Sequence, residues 1–339
     1  MQPLLTPDLS LVVPIYGNES SIDELLSAIQ AIQARIDGRF EAVFVVDGSP
    51  DLSYSLLRER LPHAGFPAQL VCLSRNFGAF PAIRVGLGCA RGQVIAVMAA
   101  DLQEPPELAI TFLAVLGQGD IDVAFGVREG RKDPVLSRLA SGLFWSVYRR
   151  FVMPDIPKGG VDIFAVTHGF RDRLLGLHES NTSLLAQLFW LGGRRAFVPY
   201  QRSERRHGRS GWTLRKKLRY LSDSVFAFTD LPVRILMALG LVSLAIAVLL
   251  TIITLVAKFS GLVAVPGYAG TMLVILFFGA FNALGLGVVG SYAWRAFENT
   301  KSRPLAVVQS EESFNQGSPD EKSHNEKSHS EKSPNEHMQ

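Results

Sequence analysis

The stretch VIAVMAADLQEPPE, residues 94–107, contains a buried-strand pattern, then polar residues, then two prolines. Its first five residues, Val94–Met98, are all apolar, which is typical of a strand covered on both faces. Asp101 and Gln103 follow the strand, and Pro105-Pro106 suit the first turn of a helix. The stretch therefore predicts a strand, a loop that carries side-chain oxygens, and a helix.

The same order of elements recurs along the first part of the chain. Four more apolar runs occur, with amphipathic helical patterns between them. These runs are Leu9–Ile15, Ala42–Val46, Gln69–Leu73 and Asp122–Phe125. The first helical pattern opens with Ser21 and Glu24, which predict a capping box. Repeated strand–helix–strand units predict an α/β fold with a mostly parallel sheet flanked by helices.

Polar or loop-forming residues follow the first four strands, which in such a sheet share one carboxyl edge. They are Tyr16–Glu19, Asp47–Ser49, Ser74–Asn76 and Asp101–Gln103. Ligands of open α/β sheets bind outside the carboxyl ends of the strands. We therefore expect these four segments to converge on one binding site.

Asp101 and Gln103 predict a divalent-cation site. A carboxylate and an amide oxygen two residues later are hard ligands, and Mg²⁺ or Mn²⁺ would complete its shell with water and a diphosphate. An exposed loop aspartate is the alternative for Asp101. Asp47 is expected to accept hydrogen bonds from a base or a ribose, and an ordinary Asp-Gly turn is the alternative there.

Two groups of basic residues predict phosphate recognition, because guanidinium groups bind phosphate through paired donors. The first group is Arg128, Arg131, Lys132 and Arg138. The second is Arg202, Arg205 and Arg209, within a basic stretch that also contains Arg206, Arg215, Lys216, Lys217 and Arg219. For the second group, a solvated basic face attracted to anionic lipid is the alternative.

Two long uncharged runs, residues 235–257 and 269–293, predict a transmembrane hairpin. At about 1.5 Å per residue the first extends roughly 34 Å, enough for a hydrocarbon core of roughly 30 Å. A buried helical hairpin of a soluble protein is the alternative. Basic residues flank the hairpin, while its connecting loop carries only Lys258, so the positive-inside rule predicts cytoplasmic termini.

The second run also predicts a homo-oligomer. Asn282 lies in this run among several glycines, which permit close helix contact, and an intramembrane amide requires a partner. The glycines are Gly279, Gly285, Gly287 and Gly290. Packing within the hairpin is the alternative.

Net charge, cysteines and the two termini give further predictions. The net charge of the 339 residues is +3, so no nucleic-acid partner is predicted. Cys72 and Cys89 stand in apolar surroundings and predict reduced core residues. The N-terminus lacks the features of a secretory signal. The C-terminal repeats EKSHN, EKSHS and EKSPN have almost nothing to bury and predict disorder from about residue 310.

Taken in order, six segments resemble the family 2 glycosyltransferases of GT-A (Rossmann-like) fold. They are VVPIYGNE (12–19), VDGSPD (46–51), LSRNFG (73–78), ADLQEPPE (100–107), GVREGRKD (126–133) and RRHGRSGW (205–212). The similarity is to the polyprenyl-phosphate branch, which includes dolichol-phosphate mannose synthases and bacterial undecaprenyl-phosphate sugar transferases. It covers about two-thirds of the chain.

The resemblance implies an inverting, metal-dependent hexosyltransferase that moves one sugar from a nucleotide-sugar to a polyprenyl phosphate for cell-envelope glycans. It implies Mg²⁺ or Mn²⁺ on Asp101 and Gln103. It implies a donor site of Pro14, Tyr16, Glu19, Asp47, Asp101, Gln103, Arg205 and Ser210. It implies an acceptor-phosphate site of Arg128, Arg131, Ser137 and Arg138. The implied catalytic residues are Asp101, Asp162, Arg128 and Arg131, with Asp162 facing the sugar.

The resemblance also implies a domain order. A GT-A catalytic domain would occupy residues 1–212 and a juxtamembrane amphipathic segment residues 213–234. Two transmembrane helices would lie within 235–294, and a cytoplasmic tail would occupy 295–339. The implied location is the inner (cytoplasmic) membrane, with the catalytic domain and both termini in the cytoplasm.

Two departures from the family pattern keep other functions open. Val46 and Ala99 stand where relatives usually carry aspartates, which favours as an alternative a non-catalytic nucleotide-sugar-binding or scaffold subunit. A processive polysaccharide synthase is a third reading, but two spans are too few for a conduit and the Gln-x-x-Arg-Trp signature is absent. UDP-glucose, UDP-N-acetylhexosamine, UDP-galactose and GDP-mannose all remain candidate donors, with UDP favoured by analogy to bacterial members.

Overall fold

A computed structural model describes residues 6–129, 146, 148–150, 153–157, 161, 163–179, 182–202, 222–260 and 268–315. The strands are β1 (Leu9–Ile15), β2 (Phe40–Val46), β3 (Ala68–Leu73), β4 (Val94–Val97), β5 (Val123–Glu129), β6 (Ile163–Thr167), β7 (Arg195–Gln201) and β8 (Val308–Phe314). The helices are α1 (Ile22–Gln33), α2 (Ser53–Arg60), α3 (Ala79–Cys89), α4 (Glu107–Leu116), α5 (His168–Leu175), α6 (Leu184–Trp190), α7 (Leu231–Phe259) and α8 (Tyr268–Thr300).

The eight strands form one mixed sheet in the order β7-β5-β6-β4-β1-β2-β3-β8. The block β4-β1-β2-β3 is parallel, as the repeated strand–helix pattern predicts. Strand β6 runs antiparallel to both β4 and β5, and β7 runs parallel to β5. The predicted α/β fold is confirmed, and the carboxyl ends of β1 to β5 and of β7 share one edge of the sheet.

Helices cover both faces of the central strands. One apolar cluster contains side chains of α1, α2 and α4, and the other contains side chains of α3, α5 and α6. Strand residues alternate between the two, so that Leu11 and Val13 enter the first cluster and Val12 the second. Cys72 and Cys89 are both free, but both are only partly buried and not the core residues that were predicted, and burial raises the pKa of the Cys89 thiol to about 11.

The buried carboxylate of Glu41 is the main polar exception within these strands, and the sequence analysis missed it. Its oxygens accept hydrogen bonds from the Arg91 backbone N–H at 2.7 Å, the Arg91 guanidinium at 2.6 Å and the Ser10 hydroxyl at 2.6 Å. A buried charge requires such pairing. The cluster lies near the amino-terminal ends of the strands, away from the edge where a ligand is expected.

The predicted capping box at Ser21 is wrong. A short 3₁₀ turn, Glu19–Ser21, leads directly into α1, and the Ser21 side chain makes no cap hydrogen bond within this described region. Its hydroxyl lies instead within hydrogen-bonding distance of two carbonyl oxygens, that of Asn18 at 3.0 Å and that of Ala100 at 3.2 Å. Ser21 therefore ties the start of α1 to the loop after β4.

Helices α7 and α8 contain the two predicted spans, residues 235–257 and 269–293. Both helices are long and apolar enough to cross a membrane. In the most apolar stretch of each helix, only 6% of the residues in the first and 0% in the second are buried. This exposure disfavours the buried soluble hairpin. Near the ends of the pair, the Tyr292 hydroxyl donates to the Thr229 carbonyl at 3.3 Å, and Arg295 pairs with Asp223 at 2.8 Å.

The expectation of disorder from about residue 310 is wrong for the segment up to Asn315. Strand β8 pairs antiparallel with β3, which would otherwise be an open edge of the sheet. Glu312 accepts hydrogen bonds from the Tyr54 hydroxyl at 2.8 Å and from Arg58 at 2.9 Å. The Asn315 amide donates to the Leu61 carbonyl at 2.8 Å. The repeats that prompted the expectation lie outside the described residues.

Two truncations test this strand. Ending the chain after Val307 removes β8 and exposes β3, so we expect aggregation and an unfolding temperature lower by roughly 5 °C or more. Ending it after Asn315 keeps the strand and its side-chain contacts. Thermal unfolding and size-exclusion chromatography in detergent should therefore match the full chain for the longer truncation alone. Equal behaviour of the two truncations would contradict a structural role for β8.

Candidate active site

Hydrogen bonds between side chains and backbone bring together the loops after β1 and β2. The Gly17 N–H donates to the Ser49 hydroxyl at 2.8 Å, and the Glu19 N–H donates to Asp51 at 3.0 Å. In the other direction, the Leu52 N–H donates to the Glu19 carboxylate at 2.9 Å. The predicted convergence of these two strand ends is confirmed.

Asp51 organises this pair of loops, and the sequence analysis gave it no role. Its Oδ1 accepts from the Ser49 hydroxyl at 2.6 Å and from the Ser53 N–H at 3.2 Å. Partial burial acts to raise the pKa of Asp51, but the hydrogen bonds outweigh it and hold the pKa below its ordinary value. The signal was an aspartate two residues after a serine at a helix start, which is typical of a local side-chain turn.

Asp47 fixes the next loop. Only 3% of the residue is exposed, and its two carboxylate oxygens accept from the N–H groups of Phe77 at 2.7 Å and Gly78 at 2.8 Å. Burial raises the pKa of Asp47, and these hydrogen bonds partly offset the rise. The predicted contact with a nucleoside stays a prediction, and it would depend on lone pairs remaining on the same two oxygens.

Gly48 allows the close approach of this loop. Its φ is +55°, and a Cβ at this position would lie 2.3 Å from the backbone carbon of Arg75. Only glycine fits both conditions. The loop that follows β3 is therefore packed directly against the loop that follows β2.

The other predicted donor residues stand at the same edge. Tyr16 is 52% exposed at the end of β1, so its ring is accessible to a planar base. Pro14 is a partly buried residue near the end of that strand. Glu19 is engaged with the Leu52 N–H, as described above. Contacts of these residues with a donor stay predictions.

The loop after β4 is held in a strained turn. Leu102 has φ +50°, which is uncommon for a residue other than glycine, and such conformations concentrate at functional sites. The Gln103 N–H donates to the Asp101 carboxylate at 3.4 Å. Asp101 is partly exposed, while Gln103 is nearly buried. The two predicted ligand residues thus share one tight turn at the binding edge.

Arg202 joins this turn to the end of β7. Its Nη2 donates to the Gln103 amide oxygen at 2.5 Å, and its Nε lies 3.5 Å from a carboxylate oxygen of Glu104. The Glu104 side chain is only 3% exposed. The sequence did not predict this contact, because Arg202 is only one of several basic residues before the first apolar run.

The residues of the turn fit a divalent cation of the Mg²⁺ or Mn²⁺ type. Both oxygen donors, the Asp101 carboxylate and the Gln103 amide, are hard ligands, and a diphosphate and water would supply the rest. Within the described residues, no group of three or more His, Cys, Asp or Glu side chains has the arrangement of a metal site.

Arg128 is the one predicted acceptor-site residue that the structure describes. It lies near the carboxyl end of β5, in register with Tyr200 of β7. The remaining predicted acceptor residues, and three further predicted site residues, lie outside the described part of the chain. These are Arg131, Ser137, Arg138, Asp162, Arg205 and Ser210.

Comparison with known proteins gives one family. The family profile described as Glycosyl transferase family 2 matches residues 10–175. An uncharacterized glycosyltransferase, sll0501 of Synechocystis sp., is 30% identical over 309 residues, 90% of this chain and 95% of that protein. The undecaprenyl-phosphate 4-deoxy-4-formamido-L-arabinose transferase of Edwardsiella ictaluri is 31% identical over 320 residues, 93% of this chain and 96% of that protein.

Among solved structures, the mannosyltransferase PcManGT from Pyrobaculum calidifontis, in complex with GDP-Man and Mn²⁺, aligns with 88% of this chain and 86% of its own. Its sequence identity is 18% and its TM-score is 0.44. A TM-score below 0.5 does not by itself establish a common fold. The family assignment therefore depends on the sequence relatives.

The Asp47→Asn substitution tests the loop anchor. The amide nitrogen of an asparagine would face one of the two backbone N–H groups, so one hydrogen bond is lost and two donors meet. We expect this to lower the free energy of unfolding by about 1–3 kcal/mol. We expect faster hydrogen exchange in the peptide that contains Phe77 and Gly78. Asp51→Asn is the matched control, because it should loosen the loops at Glu19 and Ser53 instead. Unchanged exchange at Phe77 and Gly78 in Asp47→Asn would contradict the anchoring role.

Proposed function

Since this chain belongs to glycosyl transferase family 2, we propose that it transfers one sugar from a nucleotide-sugar to a polyprenyl phosphate at the cytoplasmic face of a membrane. The observation that carries the proposal is the position of the Asp101–Gln103 turn. It lies at the carboxyl edge of a GT-A sheet in a chain that also has two exposed apolar helices. The relative named as an undecaprenyl-phosphate transferase supports the same acceptor class.

The path of the chain supports a site that faces the membrane. After α8 the chain enters the sheet at β8, where the Val307 carbonyl accepts from the Ser74 N–H at 3.0 Å, at the carboxyl end of β3. Strand β7, the last described strand before α7, also ends at this edge, because it runs parallel to β5. Both connections to the apolar helices therefore leave from the edge that carries Asp101.

The pairing of β8 with β3 also supports the proposed topology. Strands before α7 and after α8 belong to one sheet, so two crossings must return the chain to the side from which it started. Arg295 lies near the end of the second apolar helix, and Lys301 and Arg303 follow it, which favours the cytoplasmic side for this end.

The homo-oligomer remains part of the proposal. A Cβ on Gly285 would lie 3.6 Å from the Leu236 side chain, so this glycine faces α7 within the hairpin. Cβ atoms on Gly279, Gly287 and Gly290 would meet no atom of the described residues within 4 Å, and Asn282 is exposed. These positions remain available to a second copy of the chain.

The proposed reaction is a direct displacement with inversion. An oxygen of the acceptor phosphate bonds to the anomeric carbon, the bond from that carbon to the donor diphosphate breaks, and a nucleoside diphosphate leaves. A phosphate monoester has a second pKa of about 6, so it is already largely anionic at neutral pH and needs little help from a base. Positioning and charge stabilisation are then the main tasks of the protein.

The site residues take the following roles in this scheme, in which Glu19 and Asp47 keep the donor contacts predicted for them. Asp101 and Gln103 would hold the divalent cation, which when bound offsets negative charge on the diphosphate. Tyr16 and Pro14 would line the nucleotide pocket. Arg128 would bind the acceptor phosphate through its guanidinium. For the residues outside the described part we propose that Asp162 orients the sugar, that Arg131, Ser137 and Arg138 assist Arg128, and that Arg205 and Ser210 close over the diphosphate. UDP is the proposed nucleotide.

The scaffold alternative loses part of its support at Val46. This last residue of β2 is 1% exposed and packs in the apolar core, so in this chain the position serves packing rather than ligand contact. The absence of an aspartate at this position thus has a structural explanation, and Ala99 keeps the scaffold alternative open. A transfer assay separates the two functions.

In that assay, purified protein is incubated with undecaprenyl phosphate and with each of a panel of radiolabelled UDP- and GDP-sugars. We expect one donor to label a butanol-extractable lipid that carries a single sugar, with the reaction stopped by a chelator. Asp101→Asn should lower the rate on the order of 100-fold, since one ligand of the cation loses its charge. Asp120→Asn, at an exposed aspartate, should not change it. No transfer from any donor would support the scaffold, and a ladder of products would support a processive enzyme.

Arg128→Gln tests the acceptor site. Loss of a charge-assisted hydrogen bond should raise the KM for undecaprenyl phosphate roughly 10- to 100-fold and leave the KM for the donor within about twofold. Arg173→Gln is the control, because this exposed arginine lies on α5, outside the proposed site. An equal rise in both KM values for Arg128→Gln would contradict a specific role at the lipid phosphate.

A further inference from the structure

The guanidinium of Arg202 already holds an oxygen that the proposed cation would need. Its Nη2 donates to the Gln103 amide oxygen, while its Nε faces the buried carboxylate of Glu104. Arg202 comes from the end of β7 and the other two residues from the loop after β4, so the contact joins two separate elements at the binding edge. None of the proposed steps above gives a role to Glu104 or to Arg202.

The ion pair explains why the guanidinium stays at this position. The Glu104 side chain is 3% exposed and that of Arg202 is 25% exposed, so solvent screens their attraction less than on an open surface. A planar guanidinium can bind Glu104 with one nitrogen and Gln103 with another. Glu104 therefore anchors Arg202 over the turn that carries the predicted cation ligands.

A divalent cation and Arg202 compete for this turn. The hydrogen bond from Arg202 engages a lone pair of the Gln103 oxygen, and the positive guanidinium repels a second cation nearby. A nucleotide diphosphate removes both obstacles. Its oxygens attract the guanidinium away from Gln103 and also provide ligands to the cation.

We propose that Arg202, anchored by Glu104, is a positioning residue that keeps the affinity of the donor-free site for the divalent cation low. On donor binding Arg202 exchanges the Gln103 oxygen for the diphosphate, so that cation and nucleotide bind cooperatively. Such coupling is reciprocal, and each ligand strengthens the other by the same factor. The inference rests on the proposed function, because it assumes the Asp101–Gln103 cation site.

Binding of Mn²⁺ to the full-length protein in detergent tests the exchange without any turnover. The free Mn²⁺ signal in electron paramagnetic resonance gives the Kd in the absence of nucleotide and with UDP, once the Mn²⁺–nucleotide complex measured without protein has been subtracted, and GDP serves as a parallel arm. The wild type should bind Mn²⁺ weakly alone and more tightly with one of the nucleotides. Arg202→Met keeps the apolar stem but removes the hydrogen bond to the Gln103 oxygen, so its Kd for Mn²⁺ alone should fall roughly fivefold, and the gain from nucleotide should shrink.

Two more variants make the result specific. Arg75→Gln removes an exposed arginine of the same edge, one that stacks on Phe77 at 4.0 Å and donates to the Asn76 carbonyl rather than to Gln103, so its Kd for Mn²⁺ alone should stay within about twofold. Arg202→Lys keeps the charge without the fork that reaches both partners. It should give a smaller gain in affinity than Arg202→Met, and it serves in its place if that variant does not fold.

Each outcome decides the matter. If Arg202→Met is folded by circular dichroism but binds Mn²⁺ alone no more tightly than the wild type, Arg202 is only a structural tie and the inference is wrong. An equal gain in Arg75→Gln would show a general charge effect, which also overturns it. If the wild type shows no nucleotide-dependent Mn²⁺ binding with UDP or GDP, the cation site of the proposed function fails, and the exchange fails with it.

Discussion

The burial of β4, β1, β2 and β3 on both faces is the constraint on which the rest of the structure depends. Helices cover each face, so these strands are almost entirely apolar, and polar side chains that must reach solvent or a ligand are confined to the strand ends. Glu41 is an exception, because it is a charged residue within a buried strand, and its carboxylate is accordingly paired with Arg91. Because the four strands are parallel, their carboxyl ends bring four polar loops to one edge.

Several carboxylates at that edge hold the loops of the site in place through hydrogen bonds to the backbone, even without a ligand. Asp47 holds the loop after β3, and Asp51 and Glu19 hold the loops after β2 and β1 to each other. Each uses its oxygens to satisfy backbone N–H groups that would otherwise need water. A carboxylate at a strand end therefore does not by itself indicate catalysis. Asp101 also accepts a backbone N–H, from Gln103 at 3.4 Å, but the turn that it shares with Gln103 is strained at Leu102.

The sequence predicted those features that local pattern determines. The bounds of β1 match the apolar run Leu9–Ile15, because a continuous apolar run of that length is a strand signal in itself. Strand β8 escaped prediction because its main contribution is backbone pairing with the edge of β3, and its sequence VQSEESF is as polar as a solvated tail. The contact of Arg202 with Glu104 escaped it because a basic residue next to an apolar run looks the same whether it meets lipid, phosphate or a buried carboxylate.

The edge strand β8 links the two long apolar helices to the sheet. A tail that simply followed α8 into solvent would leave the catalytic domain attached to the helices by one connection, at the end of β7. Pairing with β3 adds a second connection at the other side of the same edge, and two attachments restrict rotation of the sheet relative to the helices. The proposed acceptor, with its phosphate at a membrane surface, would require that restriction, because its oxygen would have to meet the anomeric carbon in line with the departing diphosphate. In the proposed reaction, the pairing of β8 with β3 would thus help to orient the acceptor, although it lies at one end of the sheet, away from the Asp101–Gln103 turn.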